Sequence, residues 1–271
     1  MLAFGSQLVL LDVLKITAVS TLLAAVLGIF LISRLVAGLG SHGSPIGTTQ
    51  VLREAPTFLL MRVNNWLLNS AAVWVLGFTR PIEEAALYGA ANVVALLVLA
   101  PWQVVSAATS PTIIALHANN NKVALESVLR TSAAVAALPG LLLGIFLFLF
   151  GKDVLSILFT SEYAAGYSAL AILAIGRGIS TLFGSPIALL SMTHHQQAVL
   201  RVLLVGSVLT LVGYIAAADV YGAVGVATVS AASAIFQGLL LAIVARRVLA
   251  INTLPHVSAD GWRGFIRHLK N

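Results

Sequence analysis

Five polar side chains sit inside segments otherwise suited to hydrocarbon. Residues 57–79, TFLLMRVNNWLLNSAAVWVLGFT, carry Arg62, Asn64, Asn65 and Asn69, and a second apolar segment carries Arg177 at its middle. Guanidinium groups and amides of this kind bind and orient; they hold anions and hydroxyl groups rather than break bonds. At about 1.5 Å per residue, residues 57–79 span roughly 34 Å, close to the ~30 Å hydrocarbon thickness. Positions 62, 65 and 69 follow the i, i+3, i+7 rule, so Arg62, Asn65 and Asn69 share one helix face. A face with a cation and two amides is expensive in lipid and should look at protein or at a water-filled cavity. Asn64 is expected to point elsewhere and to serve as an interhelical hydrogen-bond contact.

Arg177 lies ten residues from one end of the segment 167–191 and fourteen from the other, too deep for easy snorkelling. Gly176 and Gly178 flank it, and Gly184-Ser185-Pro186 breaks the helix shortly after. Arg177, Thr181 and Ser185 are spaced i, i+4, i+8 and are expected on a common face. Two readings are open. A charge near a Gly/Pro interruption is where transporters bind anions; alternatively the arginine caps carbonyls freed at the kink. Arg62 is nearer its span's end, so its stem could snorkel. Lys15 follows Asp12 by three residues, and the two are expected to pair along one helix.

Other chemistry is excluded or unsupported. There are no cysteines, so neither disulfides nor thiolate metal sites exist. His194 and His195 are adjacent, cannot share a helix face and have no carboxylate near in sequence, so no metal site is expected. No G-x-S-x-G, H-E-x-x-H or phosphate-binding Gly-Lys-Ser/Thr motif occurs, so neither an enzyme nor a cofactor is expected. Asp12 is the sole carboxylate within any apolar segment, so a proton or sodium relay built on acids is not visible in the later ones.

The elements that must position these residues are membrane helices. The 271 residues are 59% hydrophobic and 9% charged, against about 25% charged for a soluble domain. Seven apolar segments, roughly 8–32, 57–79, 85–107, 132–150, 167–191, 199–218 and 222–245, lack strand alternation and are expected to be transmembrane helices. Ten Lys/Arg, at 34, 53, 122, 130, 201, 246, 247, 263, 267 and 270, fall in loops on one side; Arg80 and Lys152 fall on the other. This bias places the C-terminus in the cytoplasm, and it accounts for the net charge of +6 without nucleic acid. The N-terminus has no basic region or small-residue cleavage site, so a retained helix is expected rather than a signal peptide. An odd span count with an outside N-terminus leads to the expectation of further helices upstream.

Residues 34–56 are rich in Gly, Ser and Pro and are expected to form a cytoplasmic linker. Asn119–Asn121 followed by KVALESVLR should cap a surface-lying helix, and 151–163 should form a short interfacial helix. Gly140-Leu-Leu-Leu-Gly144 should allow close helix packing, and Pro139 should kink its span. The tail 248–271 is basic, with Trp262 and Phe265 suited to the headgroup layer.

Three stretches then point to a family. Residues 81–116, PIEEAALYGAANVVALLVLAPWQVVSAATSPTIIAL, carry Ala86-Leu87-Tyr88-Gly89-Ala90-Ala91 and a downstream Pro111. Residues 151–176, GKDVLSILFTSEYAAGYSALAILAIG, and 221–247, with Gly222 and Gly225, follow in order. Together they resemble the polysaccharide flippases of the multidrug/oligosaccharidyl-lipid/polysaccharide exporter superfamily over residues 50–247. The resemblance implies an all-α, two-lobe transporter of which this chain supplies one lobe (57–247) plus one extra helix (1–33). It also implies an inner-membrane protein moving lipid-linked oligosaccharide, with Arg62 and Arg177 on the anionic headgroup and Asn65 and Asn69 on sugar. Membrane lipids, an N-terminal lobe on another chain and polysaccharide-assembly enzymes are the implied partners. Two other functions remain open: an ion-coupled or multidrug antiporter using Asp12, and a non-transporting subunit of a polysaccharide-assembly complex.

Overall fold

The structure is a computed structural model that describes residues 48–251, 253 and 254, with scattered helical positions between Val19 and Arg34. Asp12, Lys15, Trp262 and Phe265 lie outside the described residues, as do most of the first expected span and the basic tail. Two compact units are present, Met1–Arg53 and Glu54–Asn271. Within the first, the Arg34 guanidinium sits 5.3 Å from the centre of the Phe30 ring. Everything that follows concerns the second.

The described residues are almost wholly helical. The order is α1 (Thr48–Thr79), α2 (Ile82–Leu96), a 3-10 turn (Leu97–Leu99), α3 (Ala100–Ala118), α4 (Lys122–Leu158), a 3-10 stretch (Ser161–Gly166), α5 (Tyr167–Thr181), α6 (Pro186–Met192) and α7 (Gln196–Leu249). Ile82–Ala118, Lys122–Leu158 and Gln196–Leu249 are each long and apolar enough to cross a membrane. The pair Ser161–Thr181 and Pro186–Met192, bent by 48°, adds a fourth if it is one broken span. The chain is a membrane protein on this ground, with three or four candidate crossings rather than the expected seven. The difference has physical causes. Arg62 and the asparagines dilute the apolar content of α1, and α7 is two helices run together.

The join in α7 is Gly222, at φ 56° and ψ −141°, a backbone state essentially closed to residues with a Cβ. It leaves carbonyls at the end of 196–221 and amides at the start of 223–249 without helical partners. Two side chains one turn apart near the start of α2 satisfy them. Arg80 donates from Nε to the Ala218 carbonyl (3.0 Å) and from a terminal nitrogen to that of Asp219 (2.6 Å). Glu84 Oε1 accepts the Ala223 N–H at 2.7 Å. Cation at the C-terminal end and anion at the N-terminal end match both helix dipoles. Glu84→Ala is therefore expected to cost about 1–2 kcal/mol of stability, read as a lower thermal midpoint of the detergent-solubilised chain.

Three local expectations need correction. The segment expected as a linker to residue 56 is helical from Thr48, with Pro56 inside α1. The capped surface helix is not separate: Asn121 does cap, its side chain accepting from the Ala124 N–H at 3.1 Å, but the helix it starts runs on to Leu158 through Pro139. The same continuity absorbs residues 151–158, so the expected interfacial helix reduces to the 3-10 stretch Ser161–Gly166. No breaker stands between Phe150 and Leu158, and Gly151 keeps the helix while lying against Leu170 and Tyr167.

Close packing fixes the depth of α5. A Cβ on Gly140 would lie 3.1 Å from the Val98 carbonyl oxygen, and one on Gly144 would lie 3.1 Å from that of Ala174. A Cβ on Gly176 would collide with Ala231 of α7. Small residues thus let α5 sit between α4 and α7 at backbone contact. One apolar cluster gathers Leu76, Tyr88, Val98, Leu170 and Tyr214; a second gathers Ile113, Leu129, Leu189, Val199 and Leu241.

Candidate functional site: a cationic cavity

A cavity of about 720 Å³ opens among α1, α2, α3, α5, α6 and α7. Arg62, Asn65 and Asn69 of α1 line it together with Arg177 of α5. Asn64, expected to face elsewhere, lines it as well, because the cavity wall on α1 is wide enough to take neighbouring positions, Leu68 included. Asn69 Nδ2 donates to the Asn65 carbonyl (2.8 Å) and to its side-chain oxygen (3.1 Å), which joins the two amides along the helix. Arg62 is exposed and has no hydrogen bond or ion pair among the described residues.

Arg177 is buried, with 9% of its surface accessible. Its two terminal nitrogens donate to two oxygens of one residue on α2, the Asn92 carbonyl (2.8 Å) and the Asn92 Oδ1 (2.6 Å). The guanidinium therefore caps no carbonyl at the Gly184-Ser185-Pro186 break, which is held by other groups. Trp102 Nε1 donates to the Gly184 carbonyl at 2.8 Å, and the Ser106 and Ser185 hydroxyls lie 2.6 Å apart. Gly184 takes φ +74° there, with the Thr253 carbonyl where a Cβ would project. The expected Arg177–Thr181–Ser185 face does not form, because α5 ends at Thr181. Thr181 turns back to the Gly178 carbonyl, and Ser180 joins Arg177 on the cavity wall.

The opposite wall was not foreseen. Ser230 donates to the Val226 carbonyl at 2.9 Å, which leaves its lone pairs to accept from the Tyr88 hydroxyl (2.9 Å) and the Tyr214 hydroxyl (2.8 Å). One turn on, Gln237 donates to Ser233 at 2.8 Å, Ser233 bonds Thr210, and Thr210 donates to the Gly206 carbonyl at 2.6 Å. Ser230, Ser233 and Gln237 are spaced i, i+3, i+7, the cue used for α1, and could have been found the same way. Asn92 was legible too, as an amide in an apolar segment.

The charges add up simply. Two guanidinium groups line the cavity, and among the described residues lining it there is no aspartate or glutamate. A cavity of this kind favours an anion bearing hydroxyl or phosphate oxygens.

No protein-family model matches the chain, and no curated protein matches it. Among solved structures it is similar to a MOP superfamily transporter from Pyrococcus furiosus, for which a binding pocket of reverse polarity suggests a different function. The TM-score is 0.59 at 16% identity, over 80% of this chain and 50% of that one. The chain thus spans about half the length of that transporter. At such identity the likeness is one of backbone architecture, and what it shows is that this chain has the fold of a MOP superfamily transporter lobe.

Proposed function

We propose that residues 57–247 form one lobe of a flippase that moves a lipid-linked oligosaccharide across the cytoplasmic membrane by alternating access. The observation that carries this reading is the cavity holding Arg62 and Arg177 without a lining carboxylate. Arginine's planar fork suits the oxygens of a phosphate or pyrophosphate, and the asparagines and hydroxyls around it suit sugar. In this reading α1 is a crossing in spite of its polar face, because that face turns to the cavity. The two halves of α7 cross separately about Gly222. The Lys/Arg bias puts the C-terminus in the cytoplasm. A second lobe, on a longer version of this chain or on another chain, would close the cavity.

The test is binding of geranyl pyrophosphate to the purified chain in detergent, by titration calorimetry, against uncharged geraniol. Saturable binding of the pyrophosphate alone is expected. Arg62→Gln should weaken it roughly tenfold at low salt, the loss shrinking as salt rises, because an exposed charge is screened. Equal affinity for geraniol, or an Arg62→Gln, Arg177→Gln double variant that binds like the wild type, would overturn the assignment.

A further inference from the structure

Arg177 presents its two terminal nitrogens to two oxygens, the way a guanidinium holds a carboxylate or phosphate. Both oxygens belong to Asn92: the main-chain carbonyl at 2.8 Å and the side-chain Oδ1 at 2.6 Å. Asn92 itself lines the cavity. We infer that Asn92 is a built-in stand-in for the anionic ligand, which occupies the Arg177 fork until a pyrophosphate or phosphate group displaces it. This rests on the reading of the cavity as an anion site and adds the residue that sets its affinity.

The exchange has a physical direction. An amide and a carbonyl satisfy the guanidinium's hydrogens but leave its charge uncompensated, and a buried cation without a counterion is costly. An anion supplies both, so it gains from the swap, while Asn92 is left to the water that enters with the ligand. The arrangement keeps the guanidinium in place and satisfied in the empty state. It also ties binding to α2, since Asn92 lies in the turn that leads into the 3-10 turn Leu97–Leu99. A 3-10 turn within a span often marks a hinge.

Two substitutions separate this role from simple packing. Asn92→Ala removes the side-chain competitor and should tighten geranyl pyrophosphate binding about tenfold while lowering the thermal midpoint. Asn92→Asp supplies a permanent anion to Arg177 and should weaken binding at least tenfold without lowering the midpoint. An Asn92 that only braces the fold would give looser binding in Asn92→Ala and none of this opposition. Inorganic pyrophosphate is the second probe. Tightening with both probes assigns the fork to the pyrophosphate group as such; tightening with geranyl pyrophosphate alone assigns it to a lipid-borne one, and either supports the exchange. Binding in Asn92→Ala where the wild type is silent supports it most directly. If Arg177→Gln abolishes wild-type binding but Asn92→Ala does not tighten it, the exchange is overturned and the anion site stands. If neither wild type nor Asn92→Ala binds either probe, both readings fall.

Discussion

Arg177→Gln is expected to weaken geranyl pyrophosphate binding roughly a hundredfold while leaving the chain folded. Two charge-assisted hydrogen bonds to the ligand are lost, about 3 kcal/mol in total, and about 1.4 kcal/mol is tenfold in affinity. Stability should change far less, because two effects oppose. Asn92 loses the cation that its carbonyl and Oδ1 accept from. Against this, the helix bundle no longer buries a charge with no carboxylate on the cavity wall, which relieves a desolvation cost. A glutamine amide can still donate to one Asn92 oxygen. Arg177→Lys should recover only part of the affinity, since an ammonium cannot offer a planar fork. Calorimetric titration and a thermal melt on the same preparation decide the matter. Binding that is retained in a folded Arg177→Gln variant would remove Arg177 from the site.

Gly222→Val should be the most damaging single change outside the cavity, by about 3 kcal/mol or more. The position combines φ 56° with ψ −141°, where a β-branched residue is strained by some 1–3 kcal/mol. A Cβ there would also run into the Glu84 carboxylate. Glu84 would have to leave the Ala223 N–H, so the second half of α7 loses its cap along with the backbone strain. That half carries Ser230, Ser233 and Gln237, so the cavity wall should loosen with it. The measurement is the fraction of protein that stays monodisperse in detergent on heating, compared with Glu84→Ala. A Gly222→Val chain as stable as wild type would mean that the break at Gly222 is not required. Glu84→Ala and Gly222→Val together should lose less than the sum of their separate costs, because both act on the same cap.

The polar cues in the helices were legible because hydrocarbon makes them conspicuous. Arg62, Asn65 and Asn69 stood out by spacing alone, and they line one cavity with Arg177. Asn64 was placed wrongly because helical spacing gives a direction, whereas the width of the cavity depends on how far neighbouring helices stand off. The interfacial and surface helices were drawn where charges clustered, but charge does not end a helix, and α4 runs through both places. Arg80 and Glu84 looked like loop charges; their partners, Ala218, Asp219 and Ala223, are more than 130 residues away in sequence.

By itself, then, the sequence determined the membrane character, the helical class and the polar stripe on α1, since each follows from composition or from a local period of 3.6 residues. It also marked Arg177 as a charge in need of a reason. Tertiary structure alone decided what that reason is. The contact to Asn92 spans 85 residues, and the Tyr88–Ser230–Tyr214 node joins α2 to both halves of α7. Such contacts depend on how closely backbones approach, which Gly140, Gly144 and Gly176 permit, and no one-dimensional pattern encodes which helix will be the neighbour.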